Sequence, residues 1–168
     1  DLDPAAGTYR HAQRGRHWSF PKVDESIDEK SAVERVRSTL DIAVRQHMIA
    51  DVPVGVFLSS GLDSTIIANL AHRHTDRLRT FTIGFSDQPD MTESALAEET
   101  ARRLGVEHTD VQVTGDEAQS WFVEWLGTLD QPSADGLNTF IISKAVRRHG
   151  IVVTLSGLGG DELFAGYI

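Results

Sequence analysis

The sequence predicts an α/β protein in which a parallel sheet is covered by helices on both faces. Short apolar runs rich in β-branched residues alternate along the chain with stretches of helical period. The first and last of these runs each lead directly into a loop of Ser and Gly, at 59–64 and 156–160. At 168 residues, 40% hydrophobic and 24% charged, the chain has the size and composition of a single soluble core. Right-handed crossovers are expected between the strands.

Residues 1 to about 30 hold Gly, Pro, Arg and His around the small cluster Trp18-Ser19-Phe20-Pro21 and read as a linker or arm, leaving 31–168 as the folded part. Ser31 with Glu34 forms a capping-box pattern, after which Val33, Val36, Leu40 and Val44 recur at helical spacing to about Met48. Val54 to Leu58 is the first strand, followed by a helix from Ser64 to about His74, whose His72 and His74 read as an exposed helix end. Thr80 to Phe85 is the next strand. A helix from about Thr92 to Leu104 stops at Gly105, a residue free to take the left-handed conformation of a C-cap, and Val106 to Val113 forms a third strand. Thr114 with Glu117 is a second capping box, and it opens a helix with Trp121, Trp125 and Leu129 on one stripe, read as core. A helix from about Thr139 to His149-Gly150 and a strand from Ile151 to Leu155 complete the pattern. No internal repeat of solenoid period is present.

A formal net charge of −9 opposes nonspecific nucleic-acid binding, which depends on Lys and Arg neutralising phosphates. It leaves open a nucleotide held by backbone amides and a bound cation. The absence of cysteine excludes disulfides, thiolate metal sites and a thiolate nucleophile, and fits a reducing cytoplasm. No apolar run approaches the roughly 20 residues that span a bilayer, and Asp1-Leu2-Asp3-Pro4 does not resemble a signal peptide. Starting without Met and stopping at Tyr167-Ile168, the chain reads as a fragment.

The loop Ser59-Ser60-Gly61-Leu62-Asp63-Ser64-Thr65 lies between a strand and a helix, where a small-residue turn aims free amides at an anion. Asp63 would repel a bare phosphate, but beside Mg²⁺ it is a suitable oxygen ligand. The loop lacks the Gly-Lys-Ser/Thr ending of a Walker A motif. Taken alone it also reads as a simple turn with Asp63 as N-cap. A second loop, Ser156-Gly157-Leu158-Gly159-Gly160-Asp161-Glu162-Leu163-Phe164, repeats the design after the strand Val152 to Leu155. If the two strands are neighbours, both loops open on one sheet edge, and Asp63 and Asp161 can share a magnesium ion that bridges a triphosphate. Between the loops, the polar stretch from Asp130 to Thr139 and the helix carrying Lys144 offer Asp130, Asp135, Asn138 and Lys144 as lining for a carboxylate pocket, or as ordinary turns and caps.

The two loops resemble the PP-loop motif S-G-G-x-D-S and the partner S-G-x-G-x-D-E of asparagine synthetases and their β-lactam synthetase relatives. The resemblance runs from about Val52 to Tyr167 and takes in Asp51-Val52-Pro53-Val54-Gly55 and Leu129-Asp130-Gln131-Pro132-Ser133. It implies the PP-loop fold and an ATP-dependent amide-forming ligase. In such an enzyme a small-molecule carboxylate, aspartate by default, becomes an acyl-adenylate with loss of pyrophosphate, and ammonia or an amine then displaces AMP. By position, Ser59, Ser60, Gly61, Asp63 and Ser64 match the part that holds pyrophosphate, and Ser156, Gly157, Gly159 and Gly160 of the partner motif are nucleotide-binding candidates with them. Asp63 and Asp161 match the Mg²⁺ pair. Glu162 and Lys144 join them as catalytic candidates. Ile83, Gly84 and Phe85, with Val56, Phe57 and Leu58, match the strands near adenine, and Glu93, after Asp90, matches an acidic position close to the site.

The resemblance also implies a glutaminase domain upstream in the same parent chain as the ammonia source, and is compatible with a homo-oligomer. Two departures stand out. Ser60 adds a Cβ where the motif has Gly. Leu158 sits where asparagine synthetases often carry Glu, and a leucine side chain cannot act as acid or base. These leave two rival readings open: an ATP-binding module without complete activity, and an amidotransferase of specialised metabolism with a substrate other than aspartate.

Overall fold

The computed structural model describes the chain except for residues 1, 4–7, 10–14, 17, 88–92, 132, 134, 135, 165, 167 and 168. Asp90, Thr92, Asp135 and Tyr167, all named above, therefore lie outside the described residues. The chain divides into two units, Asp1–Arg35 and Val36–Ile168.

In the first unit, β1 (Leu2–Asp3) pairs antiparallel with β2 (Thr8–Tyr9), a short ladder within the stretch that the sequence reads as irregular. Trp18 and Phe20 meet edge to face with ring centroids 4.7 Å apart. Helix α1 (Glu29–His47) begins earlier than the capping-box pattern at Ser31 predicts. The Asp28 carboxylate is the cap instead, accepting the Ser31 N–H and hydroxyl, each at 2.9 Å. An ionised acceptor outcompetes a hydroxyl at the positive end of a helix. Those bonds, the backbone one foremost, hold the Asp28 carboxyl below the usual carboxylate range.

The second unit has a four-stranded sheet in the order β5-β4-β3-β6, with every pair parallel. The strands are β3 (Val54–Phe57), β4 (Arg79–Phe85), β5 (Glu107–Val113) and β6 (Val153–Leu155). Helix α2 (Leu62–His72) connects β3 to β4, and α3 (Ser94–Leu104) connects β4 to β5. Helices α4 (Gly115–Thr128) and α5 (Leu137–Arg147) return the chain from β5 across the sheet to β6. Because the return runs in the opposite direction, crossovers of one handedness must place α4 and α5 on the opposite face from α2 and α3.

Two cores record this arrangement. On one face Val56 and Leu58 pack with Leu78, Val44 of α1, Ala68 and Ala71 of α2, and Ala97 and Ala101 of α3. On the other, Phe81, Val111, Val113 and Ile151 pack with Trp121 of α4 and Ile141, Ala145 and Val146 of α5. Alternation along each strand divides its side chains between these cores. Trp121 and Trp125 are buried, as the apolar stripe predicts.

Local chemistry sets the ends. Thr114 and Glu117 form the complete reciprocal capping box, and Gly105 closes α3 at φ 71° with its N–H turned back to the Ala101 and Arg102 carbonyls. The last strand is shorter than predicted: Ile151 is buried in the core ahead of the ladder, which begins at Val153. His72 and His74 are also less exposed than expected, because α1 lies beside the end of α2 and Asp41 accepts from His74 Nε2 at 3.1 Å.

His108 lies opposite Thr80 in the β4–β5 ladder, and its Nδ1 is 2.9 Å from the Thr80 hydroxyl. Thr80 has one proton, directed at the Glu107 carbonyl at 3.0 Å, so Nδ1–H is the donor to Thr80. Nε2 is buried without a partner among the described residues. Burial pushes the imidazole below its ordinary value of about 6.5, against the opposing pull of Asp110 and Glu98. The unfolded chain therefore takes up this proton first as pH falls, so stability present above about pH 6.5 declines below it. In urea titrations between about pH 8 and pH 5, His108→Gln should flatten the part of the decline that starts near pH 6.5. An unchanged profile would mean that His108 does not carry it.

Candidate functional site

Strand β3 is flanked by β4 and β6, and the chain reverses its direction of travel across the sheet between β3 and β6. Loops leaving neighbouring strands at such a reversal separate toward opposite faces and open a crevice at the carboxyl ends. Here the crevice is a cleft of about 830 Å³. Loop 59–61 and the first turn of α2 form one wall, and loop 156–159 with α6 (Gly160–Phe164) forms the other.

In the first wall three successive backbone amides each find a side-chain oxygen. Ser59 N–H donates to Ser64 Oγ at 3.1 Å, Ser60 N–H to a Glu93 carboxylate oxygen at 2.8 Å, and Gly61 N–H to Ser59 Oγ at 3.1 Å. The Ser59 and Ser64 hydroxyls lie 2.8 Å apart, and Ser64 also donates to the Gly61 carbonyl at 3.1 Å. The loop is thus a row of N–H groups at the start of a helix, a place suited to anions, but each amide is held by a side-chain oxygen where the sequence predicts free donors. Its base is fixed by the bond from Thr82 Oγ1 to the Leu58 carbonyl and by Leu58 N–H donating to the Phe81 carbonyl at 2.8 Å. Asp63 does not cap α2: Gly61 is the N-cap and makes no side-chain bond, so the helix starts at Leu62, two residues before the predicted Ser64.

The second wall is built against the first. A Cβ added at Gly157 would stand 2.8 Å from the Ser64 backbone nitrogen and 3.0 Å from Asp63 Cβ. A Cβ at Gly160 would overlap the Asp63 carboxylate itself. Gly157 is therefore required by backbone contact, while a side chain at Gly160 would have to displace the Asp63 carboxylate over which the loop closes. Asp161, the next residue, lines the same cleft.

Most of the sequence-predicted site residues gather there. Leu58, Ser59, Gly61, Asp63 and Ser64 line the cleft from the first motif, and Ser156, Gly157, Gly160 and Asp161 from the second. Ile83 and Phe85 of β4, Phe57, Glu93 and Asn138 complete it. Ser60 takes part through its N–H. The other candidates are placed elsewhere. Val56 is fully buried in the core beneath the loop, and Gly84 pairs with Gln112 in the ladder without lining the cleft. Gly159 forms a turn at φ 97°, and Glu162 lies on the exposed side of α6. Asp130 is exposed away from the cleft.

Lys144 is a correction to the sequence reading. It pairs with Glu124 and lies 5.4 Å and 5.7 Å from the ring centroids of Trp121 and Phe140, in a separate depression. Its position on α5 points it to the α4 side, where a carboxylate and two aromatic faces satisfy its charge. Thr82 of β4 and Phe164 of the second loop also line the cleft, and with them Ile141 and Ile142, the two that sequence reasoning missed. They carry no local signal, since each reads as an ordinary apolar or β-branched core residue.

Among the described residues no group of three or more His, Cys, Asp and Glu is arranged to hold a metal by itself. Asp63 and Asp161 both line the cleft, and carboxylate oxygens are the donor type that a hard cation takes. Chemically, the cleft combines a loop of backbone amides at a helix start, three carboxylates (Asp63, Glu93 and Asp161) and an apolar wall from Ile83, Phe85, Ile141 and Ile142. Among the described residues no helix is long and apolar enough to cross a membrane.

The asparagine synthase family profile matches residues 35–168. A putative glutamine-hydrolysing asparagine synthetase of Mycobacterium tuberculosis is 40% identical over 142 residues, covering 83% of this chain and 22% of that protein. Glutamine-hydrolysing asparagine synthetase 1 of Bacillus subtilis is 37% identical, again over 83% of this chain and 22% of its own length. The chain thus spans about a fifth of these relatives. Among solved structures, a glutamine-dependent NAD⁺ synthetase of Acinetobacter baumannii in complex with ADP aligns with a TM-score of 0.53 at 18% identity. That alignment covers 88% of this chain and 29% of that one, and it shows the shared α/β PP-loop fold.

The closure of Gly160 over Asp63 can be tested by thermodynamic coupling. Gly160→Ala should cost about 1–3 kcal/mol through overpacking, and much less in an Asp63→Ala background, where the carboxylate is gone. Equal costs in both backgrounds, measured by urea unfolding, would show that the two residues do not touch.

Proposed function

The chain belongs to the asparagine synthase family, and from that premise we propose that it is the ATP-binding part of an amide-forming ligase that releases AMP and pyrophosphate. The observation that carries the reading is the meeting of two strand-end loops in one cleft, which Asp63 of the first and Asp161 of the second both line. In this reading the 59–61 amides and the Ser59 and Ser64 hydroxyls hold the β- and γ-phosphates. Asp63 and Asp161 would hold Mg²⁺, which when bound neutralises charge on the departing pyrophosphate. The adenine would lie against Ile83 and Phe85, whose apolar side chains line the cleft.

The reaction proceeds in two displacements. An oxygen of the substrate carboxylate forms a bond to the α-phosphorus as the bond to the bridging oxygen breaks, and pyrophosphate leaves with that electron pair. Ammonia or an amine then attacks the acyl carbon and loses a proton, and AMP departs with the electrons of the acyl–oxygen bond. The loop amides favour the first step because they are fixed before charge develops on pyrophosphate. Aspartate is the default acyl substrate, and an upstream glutaminase domain the ammonia source, with residues 1–30 as the connecting arm and the cytoplasm as the site of action.

One observation favours a second reading on substrate. Leu158 lines the cleft while 82% exposed, a solvent-facing apolar side chain where an acid–base group would be useful. A non-aspartate carboxylate in a specialised pathway accommodates that leucine more easily.

Mg·ATP at about 100 times its Kd should stabilise the chain by about 2.7 kcal/mol, raising Tm by roughly 5–10 °C at this size. Asp63→Ala and Asp161→Ala should each abolish that response while remaining folded. A folded chain indifferent to Mg·ATP, or turnover that yields ADP in place of AMP, would overturn the proposal.

A further inference from the structure

Glu93 is the feature of the cleft that the ligand-holding account leaves unexplained. It stands at the N-cap position of α3 yet makes no side-chain cap bond to that helix. Its carboxylate reaches across to the Ser60 N–H at 2.8 Å, 33 residues away in sequence. The neighbouring amides of Ser59 and Gly61 are satisfied by hydroxyls of the loop itself, which are neutral and can rotate away. The central amide alone is bound by a full negative charge from another element, and Glu93 lines the cleft that contains it.

An N–H group donates one strong bond, so a phosphate oxygen and the Glu93 carboxylate exclude each other at Ser60. Even where the phosphate takes only the flanking amides, it would lie within a few ångströms of a like charge, and that repulsion is largest for a polyphosphate without a cation. The geometry points to Glu93 as a specificity-determining residue: it occupies the central amide of the phosphate loop and discriminates against polyphosphates that are not complexed with a divalent cation. This inference rests on the nucleotide reading above and adds a residue that selects the charge state of the ligand. The Ser60 side chain, exposed at the rim, leaves the amide accessible from the Glu93 side.

The test is calorimetric titration of the chain and its Glu93→Gln and Glu93→Ala variants with inorganic pyrophosphate, with and without Mg²⁺, and with Mg·ATP. Glu93→Gln keeps an acceptor of the same shape and removes the charge. It should tighten metal-free pyrophosphate binding by roughly tenfold and the magnesium complex by about threefold or less. Glu93→Ala should behave in the same direction. Thermal unfolding in the absence of ligand confirms that both variants are folded.

If the parent chain binds Mg·ATP and both variants bind pyrophosphate equally or more weakly than it does, Glu93 is a brace for the loop and the inference fails while the nucleotide reading stands. Equal tightening with and without Mg²⁺ also overturns it. If the folded parent and both variants bind no polyphosphate at all, the nucleotide reading fails and the inference fails with it.

Discussion

The close approach of two backbones at the reversal point of the sheet governs the rest of the site. Strands β3 and β6 are neighbours, so the loops that leave them start side by side, and Gly157 and Gly160 let the second loop settle onto Asp63 and the first turn of α2. Everything proposed for the cleft needs this closure. It brings Asp161 into the cleft that Asp63 lines, and it sets the second loop's backbone against the Asp63 side chain. The two alanine-rich helices on one face and the tryptophan-bearing pair on the other hold the sheet in the shape that makes the approach possible.

The first loop shows how a binding surface is kept ordered by its own groups. Each amide from Ser59 to Gly61 has an oxygen partner within hydrogen-bonding distance, so the loop is held by side chains at every one of these donors. Two of those partners are hydroxyls that can exchange acceptor for donor roles with little movement. The third is a carboxylate. That asymmetry gives the loop a preference among ligands as well as a shape.

The fold was legible where the signal was local. Gly105 as a helix stop, Thr114 with Glu117 as a capping box and the Trp121–Trp125 stripe all depend on residues within a turn or two of each other. The two Ser-Gly loops were legible because their position after apolar strands carries the meaning, not composition alone. The failures needed tertiary knowledge. Asp28 takes the cap from Ser31 because it is charged and one turn earlier, which periodicity does not reveal. Lys144 looked available in a polar neighbourhood, but the α4–α5 packing gives it Glu124 and two aromatic rings. The contact between Glu93 and Ser60 spans 33 residues, and nothing in either segment announces it.

The last strand is the slightest part of the sheet. Only Val153–Leu155 pair with β3, whereas β4 and β5 share a seven-residue ladder. Among the described residues β6 has no partner on its outer side. A three-residue edge ladder opens locally at far lower free energy than the centre of a sheet. Amides of β6 should therefore exchange with deuterium well before those of β4 and β5, and a ligand that bridges the walls would slow that exchange most on the β6 side. In that sense the cleft is uneven in its hydrogen-bond strength: one wall springs from a strand paired on both sides, and the other from a short edge strand that a ligand gripped between them would steady.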